Sequence, residues 1–208
     1  VLFLFYCFSV GWAQTVPPCT LEITDAETFA RDWTVIDVNS DVSANTWAYN
    51  DGNAMYMQDK SNAADDWLIA PAVTLEAGKA YKVSAYVKHS STFGSDKQKI
   101  ELKIGTAPTV EGLTTRLVYD ESFQSRLFVE KSGTFSPAES GVFYVGLRCY
   151  SESYNGDLYF QKIVIEEAPV YPAQITDLSI VAGERGAMSA TLSWTWPSSD
   201  HLGGCLLY

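Results

Sequence analysis

The sequence predicts an all-β chain whose main body is an antiparallel β-sandwich. Three observations carry that reading. Between Asp65 and Lys88 (DDWLIAPAVTLEAGKAYKVSAYVK) an apolar run, a break at Pro71 and a Glu76–Lys79 turn lead into a strand where Tyr81, Val83, Ala85 and Val87 alternate with Lys82, Ser84, Tyr86 and Lys88. A period of two marks a strand with one buried and one wetter face, and one-sided strands belong to antiparallel sheets. The same alternation recurs in Gln98–Ile104, with Ile100, Leu102 and Ile104 inward, and in Gly141–Tyr150, with Phe143, Val145, Leu147 and Cys149 on one face. Finally, short strand-like runs separated by turn residues fill the chain, with a single helix-start signal among them.

Taken in order, Thr24-Asp25-Ala26-Glu27 has the T-x-x-E form of a capping box and predicts a short helix through Arg31. Trp33–Ile36 is then a strand. Asp37–Gly52, rich in Asn, Asp and Ser, reads as a long loop carrying Trp47 and Tyr49, and Ala54–Gln58 as another strand. After the central stretch, Ser90–Asp96 and Gly105–Thr115 are loops. Arg116–Tyr119 and Leu127–Glu130 are short strands, Lys131–Phe135 runs up to the break at Pro137, and Asp157–Glu166 closes the domain. Ala168–Ala173, with two prolines, is a linker. Ile175–Val181 and Ser189–Trp196 are two strands about a Gly183–Gly186 turn, the opening of a second sandwich lacking most of its strands.

Composition sets the class. With 47% hydrophobic and 13% aromatic residues the chain can fill a core. A net charge of −11 repels phosphate backbones, which argues against nucleic acid as a partner. Val1–Ala13 joins an apolar run to a small-residue cleavage site, the form of a secretory signal peptide without its n-region, and the run is too short to span a bilayer as a helix. The expected location is extracellular, secreted or at the cell surface. Cys7 leaves with that segment, and an odd set of Cys19, Cys149 and Cys205 remains. Cys149 reads as a small buried hydrophobe, and a Cys19–Cys149 disulfide is one alternative open to the chain.

WTVIDVNSD (33–41), DDWLIAPAVTLEAGKAYKVSAYVK (65–88), KIGTAPTVEGLTT (103–115), SGTFSPAESGVFYVGLRCYS (132–151) and DLYFQKIVIEE (157–167) together resemble the choice-of-anchor J or cleaved-adhesin domains, jelly-roll sandwiches related to MAM domains. The resemblance covers residues 19–167. The tail from Gln174 to Tyr208 resembles the start of a fibronectin type III domain, with Trp194 where that fold buries a tryptophan. The resemblance implies a jelly-roll fold and a non-catalytic bacterial adhesion module that contacts glycans or host surface protein, sometimes with calcium, in a chain with further domains beyond Tyr208. The alternative is an accessory domain of a larger secreted peptidase or glycoside hydrolase.

Two sites are expected. Asp37, Asn39 and Asp41 alternate oxygen ligands as a hard cation requires, and Asp66 (or Asp65) from the central block could complete a Ca2+ shell. The loop departs from an EF-hand, with Val42 and Ala48 where Gly and Glu would stand, and the same residues could instead cap their own turn. In the resembled family the last strand often carries paired Asp where this chain has Gln161-Lys162. Trp47, Tyr49, Tyr150 and Tyr154 could form a stacking platform for a sugar, or plug the ends of the sandwich. With only His89 and His201, a nucleophile–histidine pair lacks support, and no enzymatic activity is expected.

Overall fold

Strands that alternate apolar and polar residues must pair face to face, and the computed structural model shows two sheets doing so. It describes residues 15–40, 45–57, 61–91, 93–168, 178–183 and 189–195. In chain order the elements are β1 (Cys19–Glu22), α1 (Ala26–Asp32), β2 (Thr34–Asp37), β3 (Trp47–Asn50), β4 (Asn53–Tyr56), β5 (Asp66–Ile69), β6 (Val73–Leu75), β7 (Tyr81–His89), β8 (Gln98–Gly105), β9 (Thr115–Phe123), β10 (Val129–Phe135), β11 (Gly141–Cys149) and β12 (Leu158–Glu167). The first sheet runs β10-β7-β12-β4-β3, the second β2-β5-β11-β8-β9, and every pairing is antiparallel.

Each sheet has one long central strand whose two halves take different short partners. β12 pairs β4 through Leu158–Phe160 and β1 through Lys162–Ile165. β11 pairs β6 through Gly141–Phe143 and β5 through Gly146–Cys149. Val83, Ala85, Val87, Phe160, Ile163 and Ile165 of the first sheet meet Leu68, Ile100, Leu102, Ile104, Val145 and Leu147 of the second, all nearly or fully buried. Each of these side chains other than Ala85 contributes about 1.5–3 kcal/mol. The inward residues expected for β7, β8 and β11 are therefore the ones the fold buries, and the chain is an all-β jelly-roll-like sandwich.

Local readings shift in several places. The helix cap is Asp25, not Thr24: the Asp25 carboxylate accepts Thr28 N–H at 2.7 Å, and Thr24 Oγ1 donates to that carboxylate. The segment expected as a loop through Gly52 contains β3, which forms a tight hairpin with β4. Asn50 pairs Asn53 across Asp51 and Gly52, whose φ of 46° and 75° are the left-handed pair that a type I′ turn needs. The strands at Thr115–Phe123 and Val129–Phe135 are longer than the short runs expected.

Cys19 and Cys149 are free thiols, which corrects the disulfide expectation. Cys19 pairs Ile165 on β12, whereas Cys149 sits at the end of the sandwich where Leu158 pairs His89. From Leu158 to Ile165 is roughly 23 Å at about 3.3 Å per residue, beyond any disulfide span. Burial among Gln98, Ser151 and the core pushes the Cys149 thiol up to about 12.

The chain divides into two compact units, Val1–Ala168 and Pro169–Tyr208. In the second, β13 (Ser179–Ala182) and β14 (Ala190–Ser193) form an antiparallel pair with exposed residues, and Trp194 is half-buried. The signal-like segment, Asp41, and residues 169–177, 184–188 and 196–208 lie outside the described residues. Among the described residues no helix is long and apolar enough to cross a membrane.

Two predictions follow from this packing. A Cβ on Gly105 would meet the Gly112 carbonyl oxygen at 1.8 Å, whereas one on Gly141 meets nothing within 4 Å. Gly105→Ala should cost about 1–3 kcal/mol, or roughly 3–10 °C in Tm, and Gly141→Ala should stay within about 0.5 kcal/mol, as read by urea unfolding. In alkylation near pH 8, Cys149 should resist iodoacetamide in the folded chain and label fully in guanidinium, as peptide mass spectrometry would report.

Candidate functional site

Asp37 ends β2 directly opposite Asp66 on β5. Its Oδ1 accepts the backbone N–H of Ser40 at 2.6 Å, and Ser40 takes φ 51°, so Asp37 caps its own turn. Asn39 Nδ2 donates to the Ala63 carbonyl at 2.6 Å. Asp66 is fully buried; its Oδ2 accepts Asp65 N–H at 3.2 Å, and its carbonyl accepts the Trp47 indole at 3.3 Å. Among the described residues no three acids, histidines or cysteines converge on a point a cation could occupy. Asp41 lies outside them.

The four aromatics expected to form a platform do not come together. Trp47 is 2% exposed and packs edge-on against Tyr56 at 6.0 Å, so its ring belongs to the core. Tyr49, two residues on, faces the same way and packs against that core. Tyr150 lies on the outer face of the second sheet, stacked on Tyr119 at 6.0 Å and 22°. Tyr154 is exposed on the loop before β12 with φ 63°.

The outer face of the second sheet is a closed electrostatic network. Trp67, Arg148, Glu101 and Tyr119 stand in register across β5, β11, β8 and β9. Arg148 forks onto Asp65 at 2.7 and 2.9 Å and lies 3.5 Å from Glu101, which also receives Arg116 at 2.7 Å and Lys103 at 3.6 Å. Glu101 is 2% exposed, and each cation here already holds a carboxylate. The Trp67 side of this face is covered by the loop after β8, through Leu113 against Gly146.

The outer face of the first sheet differs. Lys82, Ser84, Tyr86 and Lys88 project from β7, as the alternation predicts. On β12, strict alternation after Phe160 would turn Lys162 into the core. A register slip leaves Gln161 unpaired and sets Lys162 opposite Tyr86, so the ammonium lies over that ring at 5.0 Å. β-Bulges re-aim side chains in this way. Lys88 lies between two rings, 4.9 Å from Phe128 and 4.5 Å from Tyr159. Met55 pairs Tyr159 on the far side, which completes a row Met55–Tyr159–Lys88–Phe128. The row spans about 14 Å at roughly 4.8 Å per strand. At its flank Glu130 takes Lys82 and the Ser84 hydroxyl, and those two contacts hold its carboxyl below the ordinary value. Burial, with Asp157 nearby, raises the Tyr159 phenol, so it stays a protonated donor at neutral pH.

The alternation in the sequence places Tyr86 and Lys88 on the wetter face of β7, but it assigns no face to β12 or to Phe128 and does not single out this row. The available signal was the 2–3–2 spacing of Leu158, Phe160, Ile163 and Ile165, which announces a bulge.

The groups most suited to covalent chemistry are committed elsewhere. His89 is 1% exposed, with Nε2 donating to the Asn155 carbonyl, and the Cys149 thiol and Ser151 hydroxyl both donate to Gln98 Oε1. A cleft of about 390 Å3 near the start of β11, lined by Ala138, Val142 and Phe143 among others, offers Glu139 as its single ionisable group.

No family model matches the chain, and no curated protein matches it. Among solved structures it is similar to the K3 cleaved adhesin domain of Lys-gingipain from Porphyromonas gingivalis W83, at 12% identity and a TM-score of 0.51, over 69% of this chain and 92% of that one. It is similar also to the K1 domain of the same protein, at 15% identity and 0.51, over 73% and 99%. These likenesses show an adhesin-like jelly-roll fold.

Asp37→Ala should cost about 1 kcal/mol in urea unfolding through the lost acceptor for Ser40 N–H. A loss that grows when calcium replaces EDTA would instead place an ion at this turn.

Proposed function

We propose that this protein is a secreted, non-catalytic binding module that holds a glycan on the outer face of its first sheet. The observation that carries the reading is the row of Tyr159, Lys88 and Phe128, with Tyr86 and Lys162 beside it, on rigid paired strands of an otherwise acidic molecule. Ring faces supply flat apolar area for the C–H faces of a sugar, and half-buried polar tips supply orientation. The signal-like first residues and the adhesin-like fold support an extracellular setting. The second sheet is the weaker candidate, because its cations already hold carboxylates and part of its surface is covered.

Affinity electrophoresis of the whole chain in gels containing plant, algal and bacterial polysaccharides tests the reading. The wild type should be retarded by at least one polymer. Tyr159→Ala and Phe128→Ala should each weaken that retention about tenfold or more, a loss expected of a buried aromatic anchor. Tyr119→Ala, on the other sheet, should leave it unchanged. Retention that survives both first-sheet substitutions, or no retention by any polymer, would overturn the proposal.

A further inference from the structure

We infer that the first-sheet face selects an anionic saccharide, one bearing carboxylate or sulfate groups, with Lys88 and Lys162 as the residues that bind the anion. The inference rests on the glycan reading of the same face and adds the class of sugar.

Lys99, Lys103, Lys131 and Arg148 are partly buried, and each sits in an ion pair. Lys97 and Arg126 make none but are exposed, so water solvates them. Lys88 and Lys162 alone among the described residues are half-buried without an ion pair, and each is held over aromatic rings. Glu22 stands opposite Lys162 across the β1–β12 ladder, yet the ammonium turns over Tyr86 instead. The bulge at Gln161 is what brings Lys162 to this face at all.

Ring contact satisfies an ammonium only in part. It is worth about 0.5–1 kcal/mol at an exposed site and directs no N–H at an acceptor, whereas a charge-assisted hydrogen bond contributes about 1.5–3 kcal/mol. Each lysine therefore keeps donors for an incoming oxyanion. The rings beneath hold the long side chains in place, which reduces the ordering cost of binding. Lys162 pairs Tyr86, two residues before Lys88, so the two lysines are diagonal neighbours about 7–8 Å apart. An oxyanion at one lysine thus leaves the other within reach of a second, with Tyr86 and Tyr159 beside them for the sugar rings. Because the chain carries −11 overall, long-range attraction cannot supply this recognition, and it must come from the two local ammonium groups.

Matched polymers test the inference in the full-length chain. Polygalacturonate is compared with its methyl ester, which removes the carboxylate charge, and a sulfated galactan with its desulfated form. Affinity electrophoresis is run on the wild type, Lys88→Met and Lys162→Met, each first checked for an unchanged thermal melt. The wild type should be retained about tenfold more strongly by one anionic polymer than by its uncharged partner. The pair that shows the difference identifies carboxylate or sulfate as the group read. Each lysine substitution should weaken retention by the anionic polymer several times more than retention by the uncharged partner, erasing most of that difference. Equal retention by both members of each pair, or lysine variants that bind the anionic polymer as the wild type does, would overturn the inference. Retention by uncharged polymers alone would overturn it and leave the glycan reading standing. Retention by none would overturn both.

Discussion

The register of β12 is the constraint on which the rest of the molecule depends. This strand lies at the centre of the first sheet and takes β7 on one side and both β4 and β1 on the other. Its inward residues are Leu158 and Phe160 before the slip at Gln161, then Ile163 and Ile165 after it. Because side chains alternate with a period of two, removing the slip would drive Lys162 inward and turn both isoleucines to solvent. An unpaired ammonium in the core costs far more than the ladder bond lost at a bulge. One inserted residue thus serves the core and the outer face together.

The end of the sandwich beside this face is fastened by buried polar groups. Gln98 accepts from Cys149 and Ser151 and donates to the carbonyls of Asn155 and Gly156, while His89 also reaches Asn155. These bonds tie the β7–β8 loop, the start of β8 and the β11–β12 loop together. Satisfied buried networks rigidify and specify a single arrangement. The strands carrying Lys88 and Tyr159 end at this fastening, so the Tyr159–Lys88–Phe128 row sits on backbone that has little freedom left. Preorganisation of that kind lowers the cost of holding a ligand.

The two outer faces show how similar residues reach opposite ends. Both combine aromatic rings with lysine or arginine. On the second sheet Glu101 lies within the row itself and gathers three cations. On the first sheet Glu130 is taken by Lys82 and Ser84, which leaves Lys88 and Lys162 to the rings. A single buried carboxylate therefore separates a surface whose cations are ion-paired from one whose lysines rest on rings.

The sequence by itself determined the class and the inward residues of β7, β8 and β11, because a period of two depends only on residues close along the chain. It also determined that Cys149 would be a buried hydrophobe, since the same alternation covers Phe143–Cys149. The β3–β4 hairpin was legible through Asp51-Gly52, but it lay inside a stretch so rich in Asn, Asp and Ser that loop composition outweighed the turn signal. Trp47 was misplaced for the same reason, being a core residue embedded in polar neighbours. The Lys88–Phe128–Tyr159 row was out of reach of any such reading. Lys88, Phe128 and Tyr159 come from three strand regions about 30 to 40 residues apart, and only the pairing of β10, β7 and β12 sets them side by side. Which cation finds a carboxylate and which finds a ring is likewise a property of cross-strand neighbours, decided once the tertiary structure brings distant residues within a few ångströms.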